Sequence, residues 1–163
     1  MKKNTSKTLF LSFLAFTTLF ILTACNSPKK AYFQLIDQNT KKNSRITYEY
    51  KNDELLIQQI NNTFYYEPIG LTKDTAKEQT EAYAKSIKDV KGLTHEIDYK
   101  DEYLTEKITI DFRKADIEEL QRKHLLQISS NQKLSYISYK ESAKILEKKG
   151  YKEVKDGKFE DLK

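Results

Sequence analysis

Beyond residue 30 the apolar positions recur with two different periods, and the switch between them predicts the elements. Ala31 to Ile36 is a short apolar run and predicts a first strand. Ser44 to Tyr50 alternates strictly, with Ile46, Tyr48 and Tyr50 on one side and Arg45, Thr47 and Glu49 on the other. That period of two is the mark of a half-buried antiparallel strand. Lys51-Asn52-Asp53 reads as a tight turn, and Glu54 to Thr63 as a third strand carrying Leu55, Leu56, Ile57 and Ile60. Pro68 and Gly70 then punctuate Phe64 to Leu71 as a loop.

The period changes after that loop. Ala76, Thr80, Tyr83, Ile87 and Val90 recur at spacings of three and four and predict one long helix over Thr72–Val90. Thr72 is placed to cap it and Asp74 to complement its dipole. Alternation returns in Leu93–Tyr99, with His95, Ile97 and Tyr99 on one side, and in Tyr103–Phe112, with Leu104, Ile108, Ile110 and Phe112 inward. Glu106 falls on the apolar side of that strand, and is expected near the hairpin's open edge, where it reaches water. Asp116 and Ser138 each stand three residues before a Glu, which predicts two short helices. The second runs to Lys149 and stops at Gly150. His124 to Lys133 shows no period, Leu134 to Ile137 reads as a last strand, and Tyr151 and Val154 as a brief pairing or packing segment. The fold class is therefore α+β: an antiparallel sheet built from hairpins, packed against one long and one or two shorter helices.

The first 24 residues obey a different rule. Lys2, Lys3 and Lys7 precede an apolar run over Leu9–Ile21, shorter than the roughly 20 residues a spanning helix needs. Leu22, Thr23, Ala24 and Cys25 close the run in the order of a lipobox, with small residues before the only cysteine of the chain. The expected organisation is a signal peptide over 1–24, a lipidated Cys25 with a tether to residue 30, one domain over 31–154, and a charged tail, 155–163, that frays. Two acyl chains on a diacylglyceryl-Cys25 (the lipoprotein's palmitate-type anchor) would hold the protein to a bilayer for long times, because each buried CH₂ contributes about 0.8 kcal/mol. The expected location is the outer face of the cytoplasmic membrane, and the Lys, Asn and Ile bias favours a Gram-positive source.

Charge and composition narrow the function. The chain is formally +5, and the leader holds three lysines and no acid, so the 139 residues from Cys25 onward carry only +2. Those charges are interspersed, and no nucleic-acid partner is expected. A single cysteine excludes an internal disulfide and a cysteine-based metal site in the domain. All eleven tyrosines follow the leader, so the core is tyrosine-rich and many hydroxyls must find partners.

The chain carries no recognisable catalytic constellation. His95 and His124 are the only histidines, and neither adjoins a nucleophile motif. The four glycines form no phosphate loop, no calcium-loop spacing appears, and neither a metal nor a cofactor is expected. Asn61-Asn62-Thr63 is a formal glycosylation sequon, discounted beside a bacterial lipobox. The aromatic run Phe64, Tyr65 and Tyr66 is the candidate partner contact, set against the simpler reading that its rings plug the end of the sheet.

Several segments, in order behind the lipobox, resemble one family. They are Thr47–Asp53, Gly92–Asp101, Ile108–Asp116, Ser142–Lys144 and Gly150–Lys152. Together they look like the YehR-like bacterial lipoproteins, a domain family of unknown function, over roughly Arg45 to Glu153. The resemblance implies an α+β domain on a membrane-anchored lipoprotein and brings no functional residues with it. The expected role is a non-enzymatic binding or accessory module with an unknown membrane or envelope protein as partner. The alternative is a protective lipoprotein encoded by a phage or mobile element, acting in toxin immunity or superinfection exclusion.

Overall fold

The computed structural model describes residues 27–126 and 134–162. The leader and lipobox, with Cys25, lie outside them, as does most of the aperiodic stretch before Leu134. Six strands form one antiparallel sheet: β1 (Lys29–Asp37), β2 (Lys42–Lys51), β3 (Glu54–Tyr65), β4 (Leu93–Tyr99), β5 (Tyr103–Asp111) and β6 (Lys152–Glu153). Their order across the sheet is β4-β5-β3-β2-β1-β6. Among the described residues three α-helices accompany it: α1 (Lys73–Ile87), α2 (Ile117–Arg122) and α3 (Tyr139–Lys148). The α+β class read from the periodicity is the class observed. Among the described residues, no helix is long and apolar enough to cross a membrane.

The helix ends follow the predicted chemistry. The Thr72 hydroxyl accepts from the Thr75 backbone N–H while the Thr75 hydroxyl accepts from the Thr72 N–H, a reciprocal cap. Asp116 accepts from the amides of Glu118 and Glu119. Ser138 accepts from the amide of Glu141. Gly92 sits at φ +78, and a Cβ there would lie 2.8 Å from the Asp111 carbonyl oxygen, so the approach of β4 to the end of β5 requires glycine.

The inward side chains form rows across the strands. Tyr48, Gln58, Ile110 and Leu93 make one row; Ile46, Ile60, Ile108 and His95 the next; then Ser44, Asn62, Glu106 and Ile97; then Lys42, Phe64, Leu104 and Tyr99. The first two rows carry most of the core. Phe33, Ile46, Tyr48 and Leu55 pack with Ile137 and Leu146, and Ile108 and Ile110 pack with Ile87, Val90 and Leu120. The last row belongs to a smaller cluster of Leu104, Tyr66 and Ala76. Tyr139 stacks on Tyr50 at 3.8 Å, and burial pushes its hydroxyl up to about 12. Burial also raises Tyr48, so these rings pack as neutral groups.

Four expectations need correction. β3 does not end at Thr63 but runs to Tyr65, because β5 continues to pair with it as far as Tyr103. Leu134–Ile137 is not a strand: Leu55 donates to the Ile137 carbonyl and one bridge joins Glu54 to Ser138, where the chain turns into α3. Glu106 is not at an open edge, since β5 lies between β3 and β4. The tail does not fray. The Glu160 carbonyl accepts from Gln34, Asn43 and Arg45, its N–H donates to Gln34, and Phe159 packs edge-on to Tyr32. Charge density alone signalled a solvated tail; the one aromatic in it and three waiting polar side chains on β1 and β2 reversed that.

Candidate functional site

The third inward row is polar. Asn62 faces Ser44 on one side and Glu106 on the other, directly across the strands. Glu106 Oε2 accepts from Asn62 Nδ2 at 2.8 Å, and the Ser44 hydroxyl donates to Asn62 Oδ1 at 2.6 Å. At one end Ser44 Oγ is 2.8 Å from the Tyr151 hydroxyl. At the other, His95 Nε2 reaches diagonally to Glu106 Oε1 at 2.8 Å. The His95 and Glu106 side chains are 5% and 12% exposed, so the pair is largely buried. The sequence singled out these two residues separately; the antiparallel register of β4 and β5 brings them together.

With the Glu106 carboxylate oxygen as acceptor, His95 Nε2 is the donor of this pair. His95 Nδ1 is buried without a hydrogen-bond partner among the described residues. The Tyr83 ring stands edge-on over it at 5.6 Å and closes the site under α1. Among the described residues, no group of three or more His, Cys, Asp or Glu is arranged to hold a metal ion.

A cleft of about 250 Å³ opens beside the polar row, between the sheet and α3. Ser44, Asn62 and Tyr151 give it a polar floor, Ile60, Ile145 and Leu146 apolar walls, and Lys42 and Lys149 its lysines.

The aromatic run divides between the two faces. Phe64 packs inward with the Leu104 cluster, and Tyr66 is only 4% exposed, its hydroxyl donating to the carbonyls of Lys100 and Tyr103. Tyr65 alternates to the opposite face, where its ring lies 5.1 Å from Tyr103 and the Lys41 ammonium stands over it. That opposite face carries polar rows in register: Thr47, Gln59, Thr109 and Thr94, then Arg45, Asn61, Lys107 and Glu96. Their alternation with the core residues was legible in the sequence. The rows themselves were not, because they depend on the order β4-β5-β3-β2. His124 takes a left-handed conformation, φ 57, just past α2, and serves as that helix's exit.

Comparison with known proteins places this architecture. The model of a family described as a protein of unknown function (DUF1307) matches residues 30–152. The uncharacterized lipoprotein Lmo0207 of Listeria monocytogenes is 33% identical over 94% of this chain and 97% of its own. The uncharacterized lipoprotein YehR of Escherichia coli is 31% identical over 68% of this chain and 72% of its own. The solution structure of E. coli YehR superposes with a TM-score of 0.67 at 26% identity, covering 80% of this chain and 94% of that one. A Streptococcus pneumoniae protein shares the fold alone, with a TM-score of 0.54 at 17% identity over 94% of this chain and 90% of that one. The antiparallel sheet with its helices on one face, and these relatives together, show that the chain belongs to the DUF1307 family, whose YehR and Listeria members are named as lipoproteins.

Proposed function

We propose that the protein is a non-enzymatic binding or accessory module, tethered through a diacylglyceryl group on Cys25 to the outer face of the cytoplasmic membrane of a Gram-positive cell. One observation carries the reading: the helices pack on one face of the sheet, and the other face presents ordered polar rows on its central strands. Such a face, with the Tyr65–Tyr103 pair at one end, is a rigid surface rich in hydrogen-bonding groups. The partner is an envelope or membrane protein. The His95–Glu106 pair has a structural role in this reading, since His95 Nδ1, the nitrogen a nucleophile would need, is buried and has no hydrogen-bond partner among the described residues.

The test is crosslinking of the tagged protein in its native cell, with Cys25→Ala as control, followed by mass spectrometry. The reading expects one dominant membrane partner, lost in the control and lost again when Thr47, Gln59 and Thr109 are replaced by Arg. Turnover of a hydrolase substrate that disappears with His95→Ala would sink it.

A further inference from the structure

We infer that the polar face of the sheet carries, over β1 and β2, a pocket for a short segment of the partner protein that reads aromatic, any residue, acidic, and that the chain's own tail fills this pocket until the partner arrives. The inference deepens the reading of that face as the partner surface and rests on it.

The pocket is built from side chains that alternate away from the core. Gln34 pairs with Arg45 across β1 and β2, and Tyr32 and Asn43 flank them on the same face. Arg45 also begins one of the polar rows, so the pocket is continuous with them. Gln34 and Asn43 are only 7% and 4% exposed, and the Gln34 amide donates to Asn43 Oδ1 at 2.9 Å. The tail lies against them. After β6 the Val154 amide donates to the Tyr32 carbonyl, and the chain turns over Lys155–Gly157. A Cβ on Gly157 would lie 3.1 Å from the Tyr32 ring, so the backbone passes close over it.

Three consecutive residues are then held in three different ways. The Phe159 ring stands edge-on to Tyr32 at 6.0 Å, with the Arg45 guanidinium 5.5 Å from its centre. Glu160 is held by its backbone. Gln34 Nε2 donates to its carbonyl at 2.7 Å, and Gln34 Oε1 accepts from its N–H at 2.9 Å. Asn43 Nδ2 and Arg45 Nη2 donate to the same carbonyl at 3.3 and 2.8 Å. Asp161 is held by its carboxylate, which accepts from Arg45 Nη2 at 2.6 Å. The pocket thus reads the side chains of the first and third residues and only the main chain of the second, as extended-peptide sites do.

The tail is a replaceable occupant. Phe159 is half-buried, and the Asp161 side chain is 94% exposed, where an ion pair contributes little. Arg45 Nε is buried without a hydrogen-bond partner among the described residues, while Nη2 serves both tail acceptors. A carboxylate seated on Nε and Nη2 together would form the two-pronged pair that Asp161 does not make.

The probe is a fluorescent synthetic peptide with the sequence of residues 157–162, titrated by anisotropy against the protein from residue 26 onward, which holds every described element. Phe159→Ala/Asp161→Ala loosens the tail and leaves the pocket residues in place. It should bind the peptide about tenfold more tightly than the native chain, through release of a competitor tethered at an effective concentration of about 1 mM. Gln34→Ala added to that variant should abolish binding. In the native chain, saturating peptide should speed exchange of the Glu160 amide severalfold, a readout that needs no variant. An unchanged Glu160 amide, or equal affinity of the native and loosened chains, overturns the inference and leaves the rest of the polar face to be judged by crosslinking. Peptide binding as expected with no crosslinked protein in the cell overturns the partner reading and confines the pocket to the tail. Dimers that grow with protein concentration and dissolve on adding peptide assign the pocket to a second copy's tail and overturn the partner assignment.

Discussion

The inner face of the sheet holds two cores of unequal size, separated by a polar row. On the side where β1 begins, Ile108, Ile110, Leu120, Ile87 and Val90 form one aliphatic cluster beside the tyrosine-containing cluster of Phe33, Tyr48 and Leu55. On the far side, Tyr66, Ala76 and Leu104 form a small one. Between them runs Ser44–Asn62–Glu106, with His95 reaching in. Two apolar cores in contact would tolerate a strand slipping by two residues, because inward positions would still meet inward positions. A buried hydrogen-bonded row does not, since every donor in it would lose its acceptor. The row therefore fixes register, and it lets the two ends differ in stability. The small far core is the region expected to open first in hydrogen exchange, with amides around Tyr66 and the β4–β5 turn exchanging ahead of those in β2 and β3.

Truncation in the larger core should break the molecule most. Leu120 is fully buried between α1 and the sheet, so Leu120→Ala is expected to cost about 3 kcal/mol in urea unfolding. A cost below that of Tyr66→Phe would mean the far core is the stronger one.

The polar row comes next. Glu106→Ala strands the His95 and Asn62 donors in a buried site and should cost about 2–3 kcal/mol. Glu106→Gln separates charge from hydrogen bonding. Its carbonyl still accepts from His95, and flipping the Asn62 amide with reversal of the Ser44 hydroxyl restores the rest of the row. It should cost no more than about 1 kcal/mol by chemical denaturation. Equal losses for the two substitutions would show that the carboxylate's charge, and not its acceptors, holds the row.

Tyr66→Phe tests the far core alone. It removes two hydrogen bonds to the Lys100 and Tyr103 carbonyls while keeping the ring, and should cost about 1 kcal/mol. Its larger signature should be faster amide exchange confined to the β4–β5 turn, and exchange accelerated through β2 as well would refute the separation of the two cores.

The smallest effect lies at the end of the sheet where β1 begins. The Arg113 guanidinium holds the Asp111 carboxyl down at about 2, against 3.8 ordinarily. A depressed carboxyl stabilises the fold above its unfolded pKa, and that contribution disappears as pH falls from about 4 to about 2. Arg113 is half exposed, so Asp111→Asn should cost less than about 1 kcal/mol at neutral pH. Thermal melts of the two proteins should converge at low pH; a gap that persists there would assign the loss to packing.

The sequence by itself determined the α+β class, the two hairpins of best alternation and the three helices with their caps. These are local properties: a strand's alternation, a helix's stripe and a capping residue act within a few positions. It placed Glu106 on the apolar side of β5 but gave the wrong reason for tolerating it. Only the tertiary structure decided that β5 is interior, that Asn62 and His95 meet its carboxylate, that Tyr65 parts from Phe64 and Tyr66, and that Phe159 and Glu160 pin a charged tail to β1 and β2. Those outcomes depend on strand order and register, which join residues dozens of positions apart and leave no periodic trace along the chain.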